Sequence, residues 1–148
     1  MAIFALPAKI IPTSVSPVSA TPTPILTPSV SITPLTEATV SQFQSIKGNA
    51  DNIPQNEHLQ LFVGYKSAYF PQGNSITILG NQWSVDAQIG NDTDKGKPFI
   101  LDVVIIDNND QEAQRAIDDY YRQQPNYQGI ALTKGMHIVA SMSVTRSS

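Results

Sequence analysis

The chain has 148 residues, of which 41% are hydrophobic, and this matches the size and apolar content of one domain with an ordinary core. Its formal net charge is −3, so it lacks the basic excess that neutralises phosphate backbones or anionic lipids. We therefore expect neither nucleic acid nor a membrane as a partner. The absence of cysteine excludes disulfides, thiolate metal sites and thiol nucleophiles.

The first residues, MAIFALPAKIIP, are apolar but do not have the pattern of a secretory signal. No basic residue precedes the apolar run, and Pro7 and Lys9 interrupt it well short of a membrane-spanning length. We therefore expect synthesis in a cytoplasm without classical export.

Residues 1–29 have the composition of an extended arm, with Lys9 as their only charged side chain. Its prolines recur at a constant step of five: Pro7, Pro12, Pro17 and Pro22. Each proline fixes φ, removes an N–H donor and disfavours helix at the preceding residue, so neither a helix nor a central strand can run through the segment. Extended or polyproline geometry remains, with a reach on the order of 100 Å.

Apolar side chains between these prolines distinguish the arm from an ordinary disordered tail, which is charged and poor in β-branched residues. Together with the four prolines, they form the predicted partner-binding surface: Ile3, Phe4, Leu6, Ile10, Ile11, Val15, Val18, Ile25 and Leu26. We expect these side chains to be buried against a protein partner. The alternative is a flexible stalk that only spaces the domain.

Residues 30–148 alternate short apolar runs with turn residues, which is typical of a domain built from strands. The predicted strands are 30–33, 40–46, 58–65, 75–79, 82–89, 99–106, 130–132 and 136–144, with turns at 48–54, 80–81 and 134–135. Residues 99–106 are almost continuously apolar and are expected to form the central strand. Residues 130–132 and 136–144 are expected to pair as a closing hairpin.

One helix is predicted over about 109–123. Asn109 is expected to cap it, Glu112 to complete a capping box, and Pro125 to mark its end. Strands with one helix predict a mainly β fold, namely an antiparallel, Ig-like β-sandwich preceded by the arm; barrel closure is the alternative.

Candidate catalytic and metal sites are sparse, and we assign no catalytic residue, metal or cofactor. His58 and His137 lie in predicted strands without a motif around them, and no G-x-S-x-G elbow is present. The loop 90–97 has alternating oxygen side chains, as part of a calcium loop does, but Lys95 and Lys97 add positive charge. A polar turn held by Asx hydrogen bonds is therefore favoured over a metal site.

Tyr69 and Phe70 are the candidate contacts of a ligand site, because the segment 69–73 carries the only aromatic group in a predicted loop. Flat aromatic faces offer a platform on which a sugar can stack. Trp83 alternates with Val85 and Ala87 and is instead expected to point into the core.

Four segments, 48–54, 59–63, 69–73 and 83–90, together resemble β-sandwich modules that recur in multidomain bacterial proteins, notably cyanobacterial ones. The resemblance extends through 94–99 to 139–141, so it covers the predicted domain but not the arm. Such modules are accessory parts, and the resemblance implies no catalytic residues.

Joined to an apolar arm, a small acidic β-domain also resembles the cement or decoration proteins that staple bacteriophage capsids, cyanobacterial phages among them. This resemblance implies a structural protein on the capsid exterior, made in the host cytoplasm. Its partners would be the major capsid protein and further copies of itself, in a homo-oligomer. Two alternatives stay open: a glycan-binding or adhesive module with the arm as a spacer, and an enzyme with a cleft where His58 or His137 meets carboxylates.

Overall fold

The structure, a computed structural model, describes residues 26–123 and 125–147. These residues form nine strands and one helix, which confirms the predicted mainly β fold with a single short helix. The strands are β1 (Ser29–Ile32), β2 (Thr39–Val40), β3 (Phe43–Asp51), β4 (Glu57–Tyr65), β5 (Ala68–Gln72), β6 (Ile78–Leu79), β7 (Gln82–Gln88), β8 (Pro98–Asp107) and β9 (His137–Arg146). The helix α1 (Gln111–Tyr121) lies between β8 and β9 in the chain.

The strands form two sheets. One has four strands in the order β1-β3-β7-β6, and the other has five in the order β2-β9-β8-β4-β5. Neighbouring strands pair antiparallel, except that the two-residue β2 runs parallel to the end of β9. As predicted, β8 is the central strand of the larger sheet, and its residues from Leu101 to Ile106 are all buried.

The main hydrophobic core lies between the two sheets, which makes the fold a sandwich rather than a barrel. Strand β4 contributes Leu59, Leu61 and Val63, and β7 contributes Trp83 and Ala87 from the opposite sheet. These side chains alternate along their strands, as a strand with one face in the core requires. The prediction that Trp83 points inward is confirmed, because it is only 3% exposed.

The Trp83 ring lies across β3 at Gly48, its direct partner in the strand pairing. A Cβ atom at this position would overlap both the indole ring and the Ser31 carbonyl oxygen on the other neighbouring strand. The indole N–H donates a hydrogen bond to the Asn49 carbonyl oxygen at 3.2 Å. Glycine is therefore required at position 48 to let the ring pass.

Helix α1 forms a third layer on the outer face of the five-stranded sheet. Its residues Ala113 and Ile117 pack with Phe62, Val104 and Ile106 in a second hydrophobic cluster. The outer face of β8 is thus buried at Val104 and Ile106 as well, which explains why that strand is almost continuously apolar.

The helix is capped by Asp110, not by Asn109 as predicted, and it is shorter than 109–123. The Asp110 carboxylate accepts a hydrogen bond from the Ala113 N–H at 3.0 Å. Asp107 accepts from the Asn109 N–H at 2.8 Å, which holds Asn109 in the preceding turn and moves the cap one residue on. Glu112 therefore lies two residues after the cap, and no capping box forms.

Other strand predictions need correction. The predicted strand 40–46 is two strands, because the chain leaves the five-stranded sheet after β2 and enters the other at β3. The predicted turn 48–54 is wrong in its first half, since β3 continues to Asp51. The chain reverses over the following residues, beginning at Asn52 with φ 58° and ending in a turn at 55–56. Only two residues of the predicted strand 75–79 are strand.

The predicted closing hairpin is also wrong. Strand β9 pairs with β8 and β2, whereas Ile130 forms a single bridge with Tyr69. The segment after α1 thus covers the edge of β5. Ile130 and Leu132 alternate with a solvent-facing position because both pack against the second hydrophobic cluster.

Candidate functional site

Tyr69 and Phe70 lie in strand β5, so the prediction that they belong to a loop is wrong. Lys66 adopts φ 55° and closes a tight turn between β4 and β5. Lysine has no special preference for this conformation, so the sequence carries no turn signal there. Pro71, which has no N–H to donate, is compatible with the strand because β5 is at the edge of its sheet.

The two side chains point to opposite faces of β5. Phe70 lies opposite Val63 and faces the interior between the sheets, whereas Tyr69 lies opposite Gly64 on the helix side. The Tyr69 ring packs edge-on against Phe62 with ring centres 6.4 Å apart. The structure therefore does not bring Tyr69 and Phe70 together on one ligand-binding surface.

Phe70 instead lines an open cleft of about 470 Å³, which lies between β5, the end of β7, the loop 90–97 and the chain after α1. This volume is within the usual range of ligand pockets. Six aromatic side chains border the cleft, and we call it the aromatic cleft: Tyr65, Phe70, Phe99, Tyr120, Tyr121 and Tyr127.

The aromatic rings of the cleft support one another. Tyr120 stacks on Tyr127 with ring centres 4.9 Å apart and packs edge-on against Phe70 at 6.3 Å. On the other wall, the ring centres of Tyr65 and Phe99 are 5.1 Å apart. Tyr120 is nearly buried, whereas Tyr127 is 37% exposed and presents its ring at the mouth of the cleft.

Polar groups between these walls hold the cleft in shape. The Gln72 amide nitrogen donates to the Phe70 carbonyl oxygen at 3.0 Å, and its amide oxygen accepts from the Gln88 N–H at 2.8 Å. Gln72 thereby joins β5 to β7 across the two sheets. The Tyr121 hydroxyl donates to the Gly73 carbonyl oxygen at 2.7 Å, which fixes the end of α1 to the same edge.

The loop 90–97 forms a further wall and is the polar turn that the sequence favoured over a calcium loop. The Asn91 amide oxygen accepts from the N–H and the hydroxyl of Thr93 at 3.0 and 2.7 Å. Asp94 accepts from the Asn91 N–H at 2.8 Å and from the Lys97 ammonium at 2.8 Å. Among residues 26–123 and 125–147, no three His, Asp or Glu side chains are placed to hold a metal ion.

One ion pair within this loop joins Asp94 and Lys97. The hydrogen bond from Lys97 lowers the pKa of the Asp94 carboxyl, and the same bond raises the pKa of the Lys97 ammonium. The ammonium also lies 5.6 Å from the centre of the Tyr65 ring. Gly90, at φ 72°, is required here because a side chain would meet Asp94 and Phe99 at 2.8 Å.

Burial in the tyrosine cluster changes its acid–base behaviour. Desolvation, together with the neighbouring Tyr121 and Tyr127, raises the pKa of Tyr120 to about 12, and burial also raises the pKa of Tyr121. Both hydroxyls therefore stay protonated to a higher pH than an exposed tyrosine hydroxyl does.

The raised pKa of Tyr120 predicts that the fold loses stability in alkali. In the unfolded chain this phenol ionises near pH 10.0, but in the folded protein it resists ionisation up to about pH 12. The stabilisation is therefore complete below pH 10 and is lost as the pH rises through 12. We expect a loss of about 1–2 kcal/mol, because each pKa unit corresponds to about 1.4 kcal/mol and solvent at the cleft mouth screens part of the effect.

Urea denaturation at increasing pH, with a spectrophotometric titration of the tyrosines, measures this effect. Tyr120→Phe should lose the highest-pKa step of the titration and the associated fall in stability. Tyr121 and Lys97 are unchanged in that variant, so their contributions cancel in the comparison. Identical alkaline titration curves for the two proteins would contradict the assignment.

The two histidines are not brought together. His58 lies on β4 and His137 on β9, with β8 between them. The His58 Nδ1 lies 2.6 Å from the Asn108 amide oxygen, beside a polar pocket of about 360 Å³ that Asp118 also lines. His58 therefore has an amide rather than a carboxylate as its hydrogen-bond partner. The Asp118 carboxylate instead accepts a hydrogen bond from the Gln114 side chain.

The predicted partner-binding residues from Ile3 to Ile25 lie outside the described residues. Leu26, the last of that set, is the first described residue, and it is 63% exposed ahead of β1.

Within the described ranges, no helix is both long enough and apolar enough to cross a membrane. We compared the chain with protein-family models, with curated proteins and with solved structures. None of these three comparisons found a match.

Proposed function

We propose that this chain is a non-enzymatic structural protein that decorates a protein shell of the bacteriophage-capsid type. Its N-terminal arm docks on neighbouring subunits, and its sandwich covers the outer surface. The observation that carries the proposal is the place where the arm joins the domain. The chain enters at β1, an edge strand that pairs only with β3, and Leu26 before it is 63% exposed.

An arm that leaves from an edge is accessible to a partner without disturbance of the core. Its prolines reduce the conformational entropy that docking costs, and the apolar residues between them can fill grooves between shell subunits. Many copies on one particle act together, so each contact can be weak.

The sandwich is suited to the role of a rigid cover. Both faces of the five-stranded sheet are packed, one against the other sheet and one against α1.

Deletion of residues 1–25 tests the proposal. We expect the truncated protein to keep its β-type circular dichroism and its thermal transition, while its occupancy on the native assembly falls at least about tenfold. A full-length variant with Pro7, Pro12, Pro17 and Pro22 all replaced by alanine is the matched control for pre-organisation, and its occupancy should be intermediate. Full occupancy by the truncated protein would overturn the proposal.

A second candidate function, a glycan-binding module, is favoured by the aromatic cleft. Stacked tyrosines with hydroxyl and amide groups nearby are the kind of surface on which sugars bind. Tyr69 points to the helix side, so the informative variant is Tyr127→Ala rather than a change at Tyr69. Glycan-array binding that is lost in Tyr127→Ala but kept in Ile138→Ala would favour this function.

A further inference from the structure

We propose that the aromatic cleft of one copy binds the proline-rich arm of a second copy. Residues 1–25 would thereby link neighbouring chains head to tail on the assembly. The inference rests on the proposed function and names a partner for the arm.

The cleft has the surface chemistry that binds proline-rich segments. Such segments adopt a polyproline helix, whose ring faces pack on aromatic side chains and whose carbonyl groups accept hydrogen bonds from the groove. Tyr65 and Tyr127 stand on the two sides of the cleft, each supported by a second aromatic ring. Gln88 and Asn91 are among the polar residues in the same lining.

Charge and size also agree with this occupant. Asp94, the carboxylate in the lining, is paired with Lys97 at 2.8 Å. The arm has no charged side chain between residues 10 and 25. An uncharged segment would therefore bind in a cleft where Lys97 already neutralises the negative charge of Asp94. A volume of about 470 Å³ accommodates one proline with its flanking apolar residues, and the step of five offers several such sites in each arm.

The position of the arm favours a second copy over its own cleft. Ser29 pairs with Asp51 at one end of β3, whereas Gln88, in the cleft lining, pairs with Phe43 at the other end. The described residues just before Ser29 therefore lie at the end of the sandwich that is opposite to the cleft. Strand β1 also lies next to β9, at the opposite side from β5.

The arm is long enough for this task. Residues 1–25 in a polyproline helix span roughly 75 Å, at about 3.1 Å per residue. A stiff segment that starts in this direction reaches a neighbour directly, but it must reverse its course to reach its own cleft.

Sedimentation analysis of the full-length protein over a range of concentrations tests the inference. Tyr127→Ala and the variant with the four prolines replaced by alanine should each weaken self-association at least about tenfold. Because the two changes remove the same contact, their combination should be little worse than either alone. Tyr127→Phe keeps the ring and should retain association. Ile138→Ala, an exposed apolar change on β9, which contributes no residue to the cleft lining, should have no effect.

A synthetic peptide of residues 1–25 should compete with self-association, whereas the same peptide with alanine at its prolines should compete at least about tenfold less. Circular dichroism of Tyr127→Ala confirms that the variant is folded.

Three results would overturn the inference. One is unchanged self-association of Tyr127→Ala. If deletion of residues 1–25 still prevents attachment to the assembly, the proposed function stands although this inference fails. Another is a monomer in which the arm is protected from protease at all concentrations and loses that protection in Tyr127→Ala, since the arm would then occupy its own cleft. The third is a glycan that binds the wild type but not Tyr127→Ala, while self-association is the same in both.

Discussion

Replacement of Gly48 by alanine is expected to destabilise the sandwich by about 3 kcal/mol, because the added methyl group has no space on either side. Its Cβ would overlap the Trp83 ring and the Ser31 carbonyl oxygen, and the latter is backbone that cannot rotate away. Either the indole must leave its position in the core or β1 must separate from β3. Both changes expose apolar surface that the wild type buries.

Urea denaturation followed by tryptophan fluorescence measures this loss directly, because Trp83 is the only tryptophan in the sequence. Gly64→Ala is a matched control, since it makes the same substitution in a strand of the other sheet. A Cβ there would lie 3.5 Å from the Ile100 carbonyl oxygen and from the Tyr69 ring, which is ordinary contact. We expect a cost below about 1 kcal/mol for the control. Equal costs at the two positions would show that the Trp83 overlap is not the cause.

Phe62→Ala is expected to cost about 3–5 kcal/mol, the usual range for removal of a fully buried aromatic side chain. Phe62 is 0% exposed and packs between the five-stranded sheet and helix α1, where it contacts the second hydrophobic cluster and the edge of Tyr69. The loss should fall first on the attachment of the helix. Because α1 carries Tyr120 and Tyr121, the variant should also disturb the aromatic cleft.

Phe43→Ala is the control for this second prediction. Its side chain is 69% exposed on the four-stranded sheet, so we expect a change within about 0.5 kcal/mol. Thermal unfolding gives the stabilities, and helical circular dichroism before the main transition reports separation of α1. Similar melting temperatures for the two variants would mean that the helix layer contributes little to stability.

The sequence was sufficient for elements whose signal is local. Residues 99–106 are apolar on both faces because they lie between two layers, and that run alone predicted the central strand. The alternation at Trp83, Val85 and Ala87 predicted the inward face of β7. The polar turn at 90–97 was also predicted, because its Asx hydrogen bonds join residues two and three positions apart.

The sequence was insufficient where a segment pairs with a distant partner or where a turn contains no typical turn residue. The apolar run at 130–132 looked like a strand of a closing hairpin, but the hydrogen bonds of Ile130 go to Tyr69 on β5. The hairpin at Lys66 carries no glycine or asparagine, so Tyr69 and Phe70 were placed in a loop instead of an edge strand. In the first case the pairing partner lies far away in the chain, and in the second the turn lacks the residues that mark a hairpin.

By itself, the sequence determined the β-rich class of the domain, its central strand and its single helix, since each follows from periodicity or composition over a few neighbouring residues. Only the tertiary structure decided that an aromatic cleft exists. Its rings come from β4, β5, β8, the end of α1 and the chain beyond it, and packing of the sheet edge against the helix brings them together. Side chains that are distant in sequence come into contact only when the sheets and the helix pack together, and no local sequence pattern predicts that contact.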